Sequence, residues 1–263
     1  MALALAARPA AAELVVPADL PARAAGSGAQ VVLLGEIHDN PDHHRLQAAA
    51  VAALQPRALV FEMLTPEQAT AAAGTPRDDA TALDAALSWE ESGWPDFAMY
   101  APIFAAAPDA RLYGGALPRE AVRSAVKDGA AAVFGAEAAR FGLDRPLTAE
   151  AQAAREEQQF QAHCEAVPRE AMSGMVEAQR LRDAALARAA LQALQDTGGP
   201  VAVIAGAGHV AKDGIPAALA LAAPEVTVLA VGQTETGAEP GTYDLWAESP
   251  PPARDDPCAA FAK

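Results

Sequence analysis

The chain is 263 residues long and strongly acidic, with 34 Asp and Glu against 19 Lys and Arg and a formal net charge of −15. This length suits one large or two small domains with a sizeable core. The acidic charge and the lack of any basic stretch disfavour nucleic acid and anionic membranes as partners.

The N-terminal 12 residues resemble the end of a secretory signal peptide. Residues 2–7 are apolar, and small residues at 10–12 precede Glu13 as they would at a signal-peptidase site. The alternative is a frayed alanine-rich tail. The segment is too short to span a bilayer, and no cysteine lies at the cleavage point. We therefore predict a signal-peptide remnant at 1–12, a periplasmic or other envelope location, no transmembrane segment and no lipid anchor.

Apolar runs alternate with helical segments from residue 31 onward. Short runs rich in Val, Ile and Leu predict buried strands. Asn40-Pro41 and Thr65-Pro66 each place a capping residue before a proline and predict helix starts. The predicted strands cover residues 31–34, 58–61, 111–113, 201–205 and 226–231, with 243–246 considered as a short final strand.

This alternation predicts an α/β fold with a mostly parallel sheet and flanking helices. The helical stretches near 65–110 and 118–197 are too long for simple crossovers. We expect them to be insertions that form a helical cap over the carboxyl ends of the strands. Residues 13–263 should then form a single domain.

Two of the predicted strands end in the same pattern, because residues 35–38 and 206–209 both have the form Gly-x-x-His. Ligands of α/β proteins bind at the carboxyl ends of the strands. Glu36 and Glu62 also lie at strand ends, where a carboxylate without a partner is costly. Each histidine taken alone could be structural. Together the pattern predicts one site composed of Glu36, His38, Glu62 and His209.

The predicted cap carries polar side chains on one helical stripe. Methionine on this stripe would give a ligand soft apolar contact, and Arg182 could clamp a carboxylate. A core helix with a structural Arg182–Asp183 network is the alternative. The stripe consists of Met172, Met175, Gln179, Arg182 and Leu186.

The two cysteines, Cys164 and Cys258, leave two interpretations open. A disulfide between them would fit export and would pin the proline-rich tail to the body. One buried and one exposed thiol is the alternative.

The segment 35–44 resembles the signature of the ChaN-like family of haem-binding uptake proteins. Further segments match that family in the same order, so the resemblance runs from about residue 31 to 231. They are 61–63, 92–95, 117–119, 175–183 and 205–209. The wider superfamily includes the Tiki and TraB proteins and the erythromycin esterases. The resemblance implies an α/β fold with a helical cap and a site built by Glu36, His38, Glu62 and His209.

The resemblance implies haem binding or haem uptake in the envelope, with the ligand at the strand ends under the cap. Such a site needs an axial Tyr, His or Met and cations for the propionates. A flat haem held between two protomers would need a homodimer. The residues considered for ligand contact are His38, His43, His44, Met63, Tyr100, Tyr113, Arg119, Met175, Gln179 and Arg182.

Hydrolysis is the alternative function, which leaves open whether the protein is an enzyme. Glu36 or Glu62 would act as general base, and His38 and His209 as acid or water positioner. The same four side chains are also an adequate set for a divalent metal. The sequence lacks His-Glu-x-x-His, so zinc is not required.

Overall fold

A computed structural model describes residues 12–256 and 258–259. Within them, seven parallel strands form one sheet in the order β1-β7-β6-β2-β5-β3-β4. The predicted α/β fold is therefore confirmed. The strands are β1 (Glu13–Leu14), β2 (Val31–Glu36), β3 (Ala58–Phe61), β4 (Arg111–Gly114), β5 (Val201–Gly206), β6 (Val228–Glu235) and β7 (Leu245–Ser249).

Helices connect the strands and cover both faces of the sheet. They are α1 (Leu20–Ala25), α2 (Pro41–Leu54), α3 (Pro66–Ala71), α4 (Ala80–Leu87), α5 (Phe97–Ala105), α6 (Arg119–Asp128), α7 (Ala130–Phe134), α8 (Ala149–Ala162), α9 (Met172–Thr197), α10 (Ala207–Val210) and α11 (Ile215–Ala222). Short 3₁₀ turns cover Trp89–Glu91, Gly135–Phe141 and Arg169–Ala171.

Both predicted cap-and-proline helix starts are present. The Asn40 side chain accepts a hydrogen bond from the Asp42 amide at 3.0 Å, and α2 begins at the next residue. Thr65 and Gln68 form a reciprocal capping box at the start of α3. These caps fix where the chain leaves β2 and β3, and thus where the side chains at their ends point.

The structure corrects three predicted boundaries. The strand predicted at 226–231 runs from Val228 to Glu235. Its last residues are polar, so a pattern of apolar residues does not include them. The final strand lies at Leu245–Ser249, and the two-residue β1 at the sheet edge is too short to predict from periodicity. The helical stretch after 148 is two helices, α8 and α9, separated by a turn that contains Pro168.

The core lies in two layers, one on each face of the sheet. Side chains from α1, α2, α4 and α5 pack on one face, and side chains from α6, α7, α9 and α11 pack on the other. The central strands β2 and β5 are buried along their whole length. This burial explains their continuous apolar sequences, since a parallel sheet is covered on both faces.

Cys164 and Cys258 form a disulfide with a Cα–Cα distance of 5.4 Å. This resolves the two interpretations of the cysteines in favour of the pinned tail. The predicted signal-peptide remnant lies almost wholly outside the described residues. None of the helices in the described part of the chain has the length and apolar character needed to cross a membrane.

Candidate functional site

The structure brings the four predicted side chains, Glu36, His38, Glu62 and His209, together at the carboxyl ends of β2, β5 and β3, which are neighbours in the sheet. We call this group the rim. The His38 Nε2 atom lies 4.0 Å from Glu62 Oε2, and His209 Nε2 lies 3.3 Å from Glu62 Oε1. Glu62 therefore stands between the two imidazoles.

Glu36 is buried and has three hydrogen-bond donors around it. Tyr100 Oη donates to Oε1 at 2.7 Å, and Gln47 Nε2 donates to Oε2 at 2.8 Å. The third donor is His38 Nδ1, which lies 2.7 Å from Oε1. Burial and the Glu36 carboxylate raise the pKa of Tyr100 far above its ordinary value. Glu36 thus fixes the ring of His38, and Tyr100 remains a neutral donor.

His38 is the accessible member of the rim. Its side chain is 34% exposed, and its ring centroid lies 4.8 Å from that of Trp94. Since Nδ1 donates to Glu36, Nε2 is the nitrogen available to a ligand. Burial lowers the pKa of His38, but the bond to Glu36 and the charge of Glu62 outweigh it, so the pKa is raised.

His209 lies between two carboxylates. Its Nδ1 atom is 2.6 Å from Asp183 Oδ1, and Nε2 faces Glu62. Burial alone would lower the pKa of His209, but Glu62 and Asp183 raise it to about 10. Burial likewise opposes ionisation of Glu62, yet His209, His38 and the Gly206 amide lower its pKa to about 2. His209 is therefore an imidazolium paired with an ionised Glu62.

Asp183 on α9 and Arg155 on α8 continue the network of charges beyond the His209–Glu62 pair. Arg155 on α8 donates from Nε to Asp213 Oδ2 at 3.0 Å, and its Nη1 lies 3.8 Å from Asp183 Oδ2. Burial raises the pKa of Asp183 despite its bond to His209. Gln179 on α9 lies 3.0 Å from His209 Nδ1, so α8 and α9 both reach the rim.

The two Gly-x-x-His motifs need their glycines for different reasons. A Cβ atom at Gly206 would lie 3.0 Å from His38 Nε2 and 3.5 Å from Glu62 Oε2. A Cβ atom at Gly35 would instead lie 3.1 Å from the Val231 carbonyl oxygen. Gly35 therefore allows the strands to pack, and Gly206 makes room for the rim itself.

Four of the residues considered for ligand contact lie in the interior. His43 accepts a hydrogen bond from the Ile37 amide at 2.9 Å, and His44 Nε2 donates to the His38 carbonyl at 2.8 Å. Met63 and Tyr100 are 2% and 0% exposed. The expectation that these four could ligate a haem is corrected, because their side chains hold the turn after β2 and the core beside it.

Four of the other considered residues lie on helices α6 and α9. Arg119 is exposed and lies against Gly93, next to Trp94. Met175 is half-buried one turn before Gln179, and Arg182 is exposed on the same helix. Of this helix, Gln179 is the predicted residue that contacts the rim. Asp183, which lies 2.6 Å from His209 Nδ1, was predicted only as a structural neighbour of Arg182.

Tyr113 lines a cavity of about 470 Å³, separate from the rim, which we call the β4 groove. The groove runs along the edge strand β4 between α3 and α9. Tyr113 Oη donates to Asp196 Oδ2 at 2.9 Å, and burial together with this bond raises the pKa of Tyr113 to about 12. The groove is lined by Pro66, Ala69, Thr70, Ala73, Arg111, Leu112, Tyr113, Gly114, Gly115, Ala116, Leu117, Ala185, Arg188, Ala189, Gln192 and Asp196.

The rim does not have the form of a metal centre. Among the described residues, no group of three or more His, Cys, Asp or Glu side chains could hold a metal ion. Glu36 and Glu62 already accept hydrogen bonds from neighbouring donors. The prediction of a divalent metal at Glu36, His38, Glu62 and His209 therefore lacks support.

Comparisons with known proteins point to one family. The profile of the family described as "Haem-binding uptake, Tiki superfamily, ChaN" matches residues 23–219. A solved structure of ChaN of Campylobacter jejuni, which describes cofacial haem binding, superimposes with a TM-score of 0.65 at 20% identity, covering 87% of this chain and 90% of that one. The type III effector HopBA1 superimposes with a TM-score of 0.52 at 15% identity, covering 90% and 94%. A comparison with curated proteins finds no match.

Proposed function

The chain belongs to the ChaN-type haem-binding uptake family of the Tiki superfamily, and we propose that it binds haem in the bacterial envelope and takes part in haem-iron uptake. In this proposal the β4 groove holds the haem, with Tyr113 as the axial ligand. The groove runs along β4, and none of the four rim residues lines it.

The observation that carries this proposal is the environment of the three tyrosines. Tyr100 and Tyr243 are buried, at 0% and 6% exposed, whereas Tyr113 is half-buried and lines an open cavity. A phenolate oxygen is an established axial ligand for ferric haem. Tyr113 is thus the tyrosine that a ligand can reach without unfolding the core.

The rest of the groove fits an amphipathic planar molecule. Leu112, Leu117 and several alanines supply apolar contact, and Arg111 and Arg188 supply cations that suit propionates. Haem would supply the iron that the phenolate binds. The groove is open on its outer side, so one face of the ligand would stay uncovered. A homodimer that covers this face is part of the proposal.

The rim is the other position for haem, as the sequence predicted. There His38 Nε2 would be the ligand, since its Nδ1 atom is held by Glu36 in the way that orients metal-binding histidines. Trp94 lies beside it as a flat contact. The concentration of carboxylates at the rim makes it less suited to propionates than the groove.

The disulfide supports the envelope location. Structural disulfides persist in oxidising compartments and are rare in the cytosol. The Cys164–Cys258 bridge closes a loop of 94 residues. A signal peptide at the N-terminus remains a prediction, tested by the N-terminal sequence and fractionation of the mature protein.

A haemin titration followed at the Soret band tests the proposal. Wild type should saturate at micromolar protein, Tyr113→Phe should bind at least about tenfold more weakly, and the buried-tyrosine control Tyr243→Phe should match wild type. If His38→Gln loses haemin binding and Tyr113→Phe binds as wild type does, the haem site lies at the rim. No saturable spectral change in wild type would exclude haem. Sedimentation with and without haemin tests the dimer.

Hydrolysis at the rim is the second candidate, and the arrangement of His38 favours it. A histidine whose Nδ1 donates to a buried carboxylate, with Nε2 exposed, is suited to take a proton from water. The His209 imidazolium could then donate a proton to the leaving group. In this arrangement Glu36 and Glu62 hold the histidines and do not act as bases, which differs from the sequence prediction.

Turnover of p-nitrophenyl acetate provides the test of hydrolysis. The rate should rise as His38 loses its proton, above pH 6.5 because its pKa is raised, and fall as His209 loses its proton near about pH 10. His38→Gln should reduce the rate to background, whereas Tyr113→Phe should leave it unchanged. Equal rates in wild type and His38→Gln would contradict this function.

A further inference from the structure

Helix α8 is attached near its middle to the segment that follows β5 and α10. Arg155 donates to the side chain of Asp213 at 3.0 Å and also to its carbonyl oxygen. Its side chain is only 12% exposed and lies beside Asp183, the partner of His209. Asp213 follows β5, so this contact fixes α8 over the β5 side of the rim.

The C-terminal end of α8 is attached through the tail of the chain. Cys164, two residues after α8, is bonded to Cys258. Between β7 and Cys258, the tail binds the ends of two other strands. Arg254 forms ion pairs with Glu235, at the end of β6, and with Asp39 at 3.0 Å. The Pro250 carbonyl accepts from Asn40 Nδ2 at 3.1 Å.

These two attachments lie on opposite sides of the rim. The strands β6, β2 and β5 are neighbours in that order. The tail is held at β6 and β2, and Arg155 is held at β5. Helix α8 and the tail therefore bridge the strand ends where His38 and His209 lie. Beneath them the side chains of His209 and Glu62 are only 7% and 12% exposed.

We propose that α8 is a lid over the rim and that reduction of the Cys164–Cys258 disulfide releases it. The reductant is a dithiol. One of its thiolates attacks a cysteine sulfur and forms a mixed disulfide, and its second thiol then displaces the protein sulfur. The protein gains two electrons and two protons as two thiols, and the dithiol becomes a disulfide. Both cysteines are half-buried, so such a reagent has a route to the bond.

The backbone next to the disulfide favours release once the bond is broken. Cys164 and Glu165 both have a φ of 56°, a left-handed conformation that non-glycine residues adopt at a cost. The disulfide holds this turn in place. With the bond reduced, the turn can relax, and Arg155 and Arg254 remain as the attachments of the lid.

Histidine modification by diethylpyrocarbonate, read residue by residue by mass spectrometry, tests the lid. We compare oxidised wild type, wild type with dithiothreitol, and the double variant Cys164→Ser/Cys258→Ser at one pH. Only the neutral fraction of His209 reacts, so its modification is slow in oxidised wild type; at a fixed pH it should become at least about tenfold faster in the second and third samples, as expected for local opening. Arg254→Gln should change the rate in the same direction by less. Arg23→Gln, which removes a surface ion pair at the far sheet edge, is the matched control and should have no effect.

His43 and His44 distinguish lid opening from general unfolding, because they are buried under the turn after β2 and not under α8. Their modification should stay slow in every sample. Equal acceleration of all three histidines would overturn the proposal, and so would an unchanged rate at His209 after reduction. Hydrogen exchange gives a second readout, with faster exchange expected in α8 and unchanged exchange in β2 and β5. Neither readout involves haem, so this test and the haem test can fail separately.

Discussion

The rim and the β4 groove belong to the same sheet, but their side chains are arranged in opposite ways. At the rim, Glu36, Glu62 and His209 are largely buried, His38 is the accessible member, and the side chains have partners within hydrogen-bond distance. In the groove, a single tyrosine and two arginines stand among small apolar residues around an open cavity. The first arrangement holds protons and charges in fixed places, and the second offers area to a large ligand. This chain therefore combines a network of paired charges at the rim with a separate open cavity along β4.

The largest expected difference between the two regions is in stability. Glu36→Ala would leave three buried donors at the rim without an acceptor, so it should lower the free energy of unfolding by about 3–5 kcal/mol. In the groove, Arg188→Gln changes a side chain that is 45% exposed and should stay within about 0.5 kcal/mol of wild type. Urea unfolding measures both. Similar small losses in the two variants would mean that the rim is not held as described.

A difference in pH dependence should follow from His209. Its folded-state pKa is raised to about 10, so its contribution is fully present below its unfolded pKa of about 6.5 and is lost as the pH rises through about 10. The stability gap between wild type and His209→Asn should therefore shrink by a few kcal/mol between these values, since one pKa unit corresponds to about 1.4 kcal/mol. The difference in stability between wild type and Tyr113→Phe should stay constant up to about pH 9. Tyrosine in the unfolded chain has a pKa of about 10, and the pKa of Tyr113 in the folded protein is higher still. A constant gap for His209→Asn would contradict the ion pair with Glu62.

The affinity for haemin should depend on pH when Tyr113 in the β4 groove is the ligand. Iron competes with the phenol proton of Tyr113, whose pKa is raised to about 12. Apparent affinity for haemin should therefore rise with pH from 6 to 9, by up to about tenfold per unit. The Tyr113→Phe variant should bind weakly and show no such slope. A wild-type slope that flattens within this range, at a pH above 6.5 because the pKa of His38 is raised, would instead indicate His38 as the ligand.

The smallest expected effect is on haemin affinity, from the groove arginines that would face the propionates. Arg188→Gln should weaken haemin binding about two- to fivefold, because an exposed charge contact contributes at most about 1 kcal/mol. Arg182→Gln is the matched control, since Arg182 is also on α9 and exposed but does not line the groove. Added salt should reduce the difference between wild type and Arg188→Gln. An equal loss in both variants would indicate a general effect of charge.

The sequence predicted the parts of the molecule for which a local pattern of residues identifies a strand and the parallel sheet then places the end of that strand. Apolar runs ending in glycine gave β2 and β5, and a parallel sheet brings their ends together whatever the details of packing. The contacts of Gln47, Trp94 and Arg155 were not predicted, because they depend on how α2 and α8 are rotated against the sheet and on where the turn before α5 lies. Tyr100 and Tyr113 carry the same functional group in sequence. Only packing distinguishes the one that donates to Glu36 from the one that lines the groove.

The all-parallel sheet also determines when the rim can form. Val31 of the central strand pairs with Val201 and Val228, so β2 leaves the ribosome long before either neighbour exists. Until β5 follows, Glu36 and His38 have no Glu62–His209 pair beside them and the apolar face of β2 has no cover. Strand pairings this distant in sequence form slowly and leave edges exposed meanwhile. The rim is therefore completed only after β5 and His209 have been synthesised, and a truncated chain that ends before β5 should be a target for chaperones or proteases.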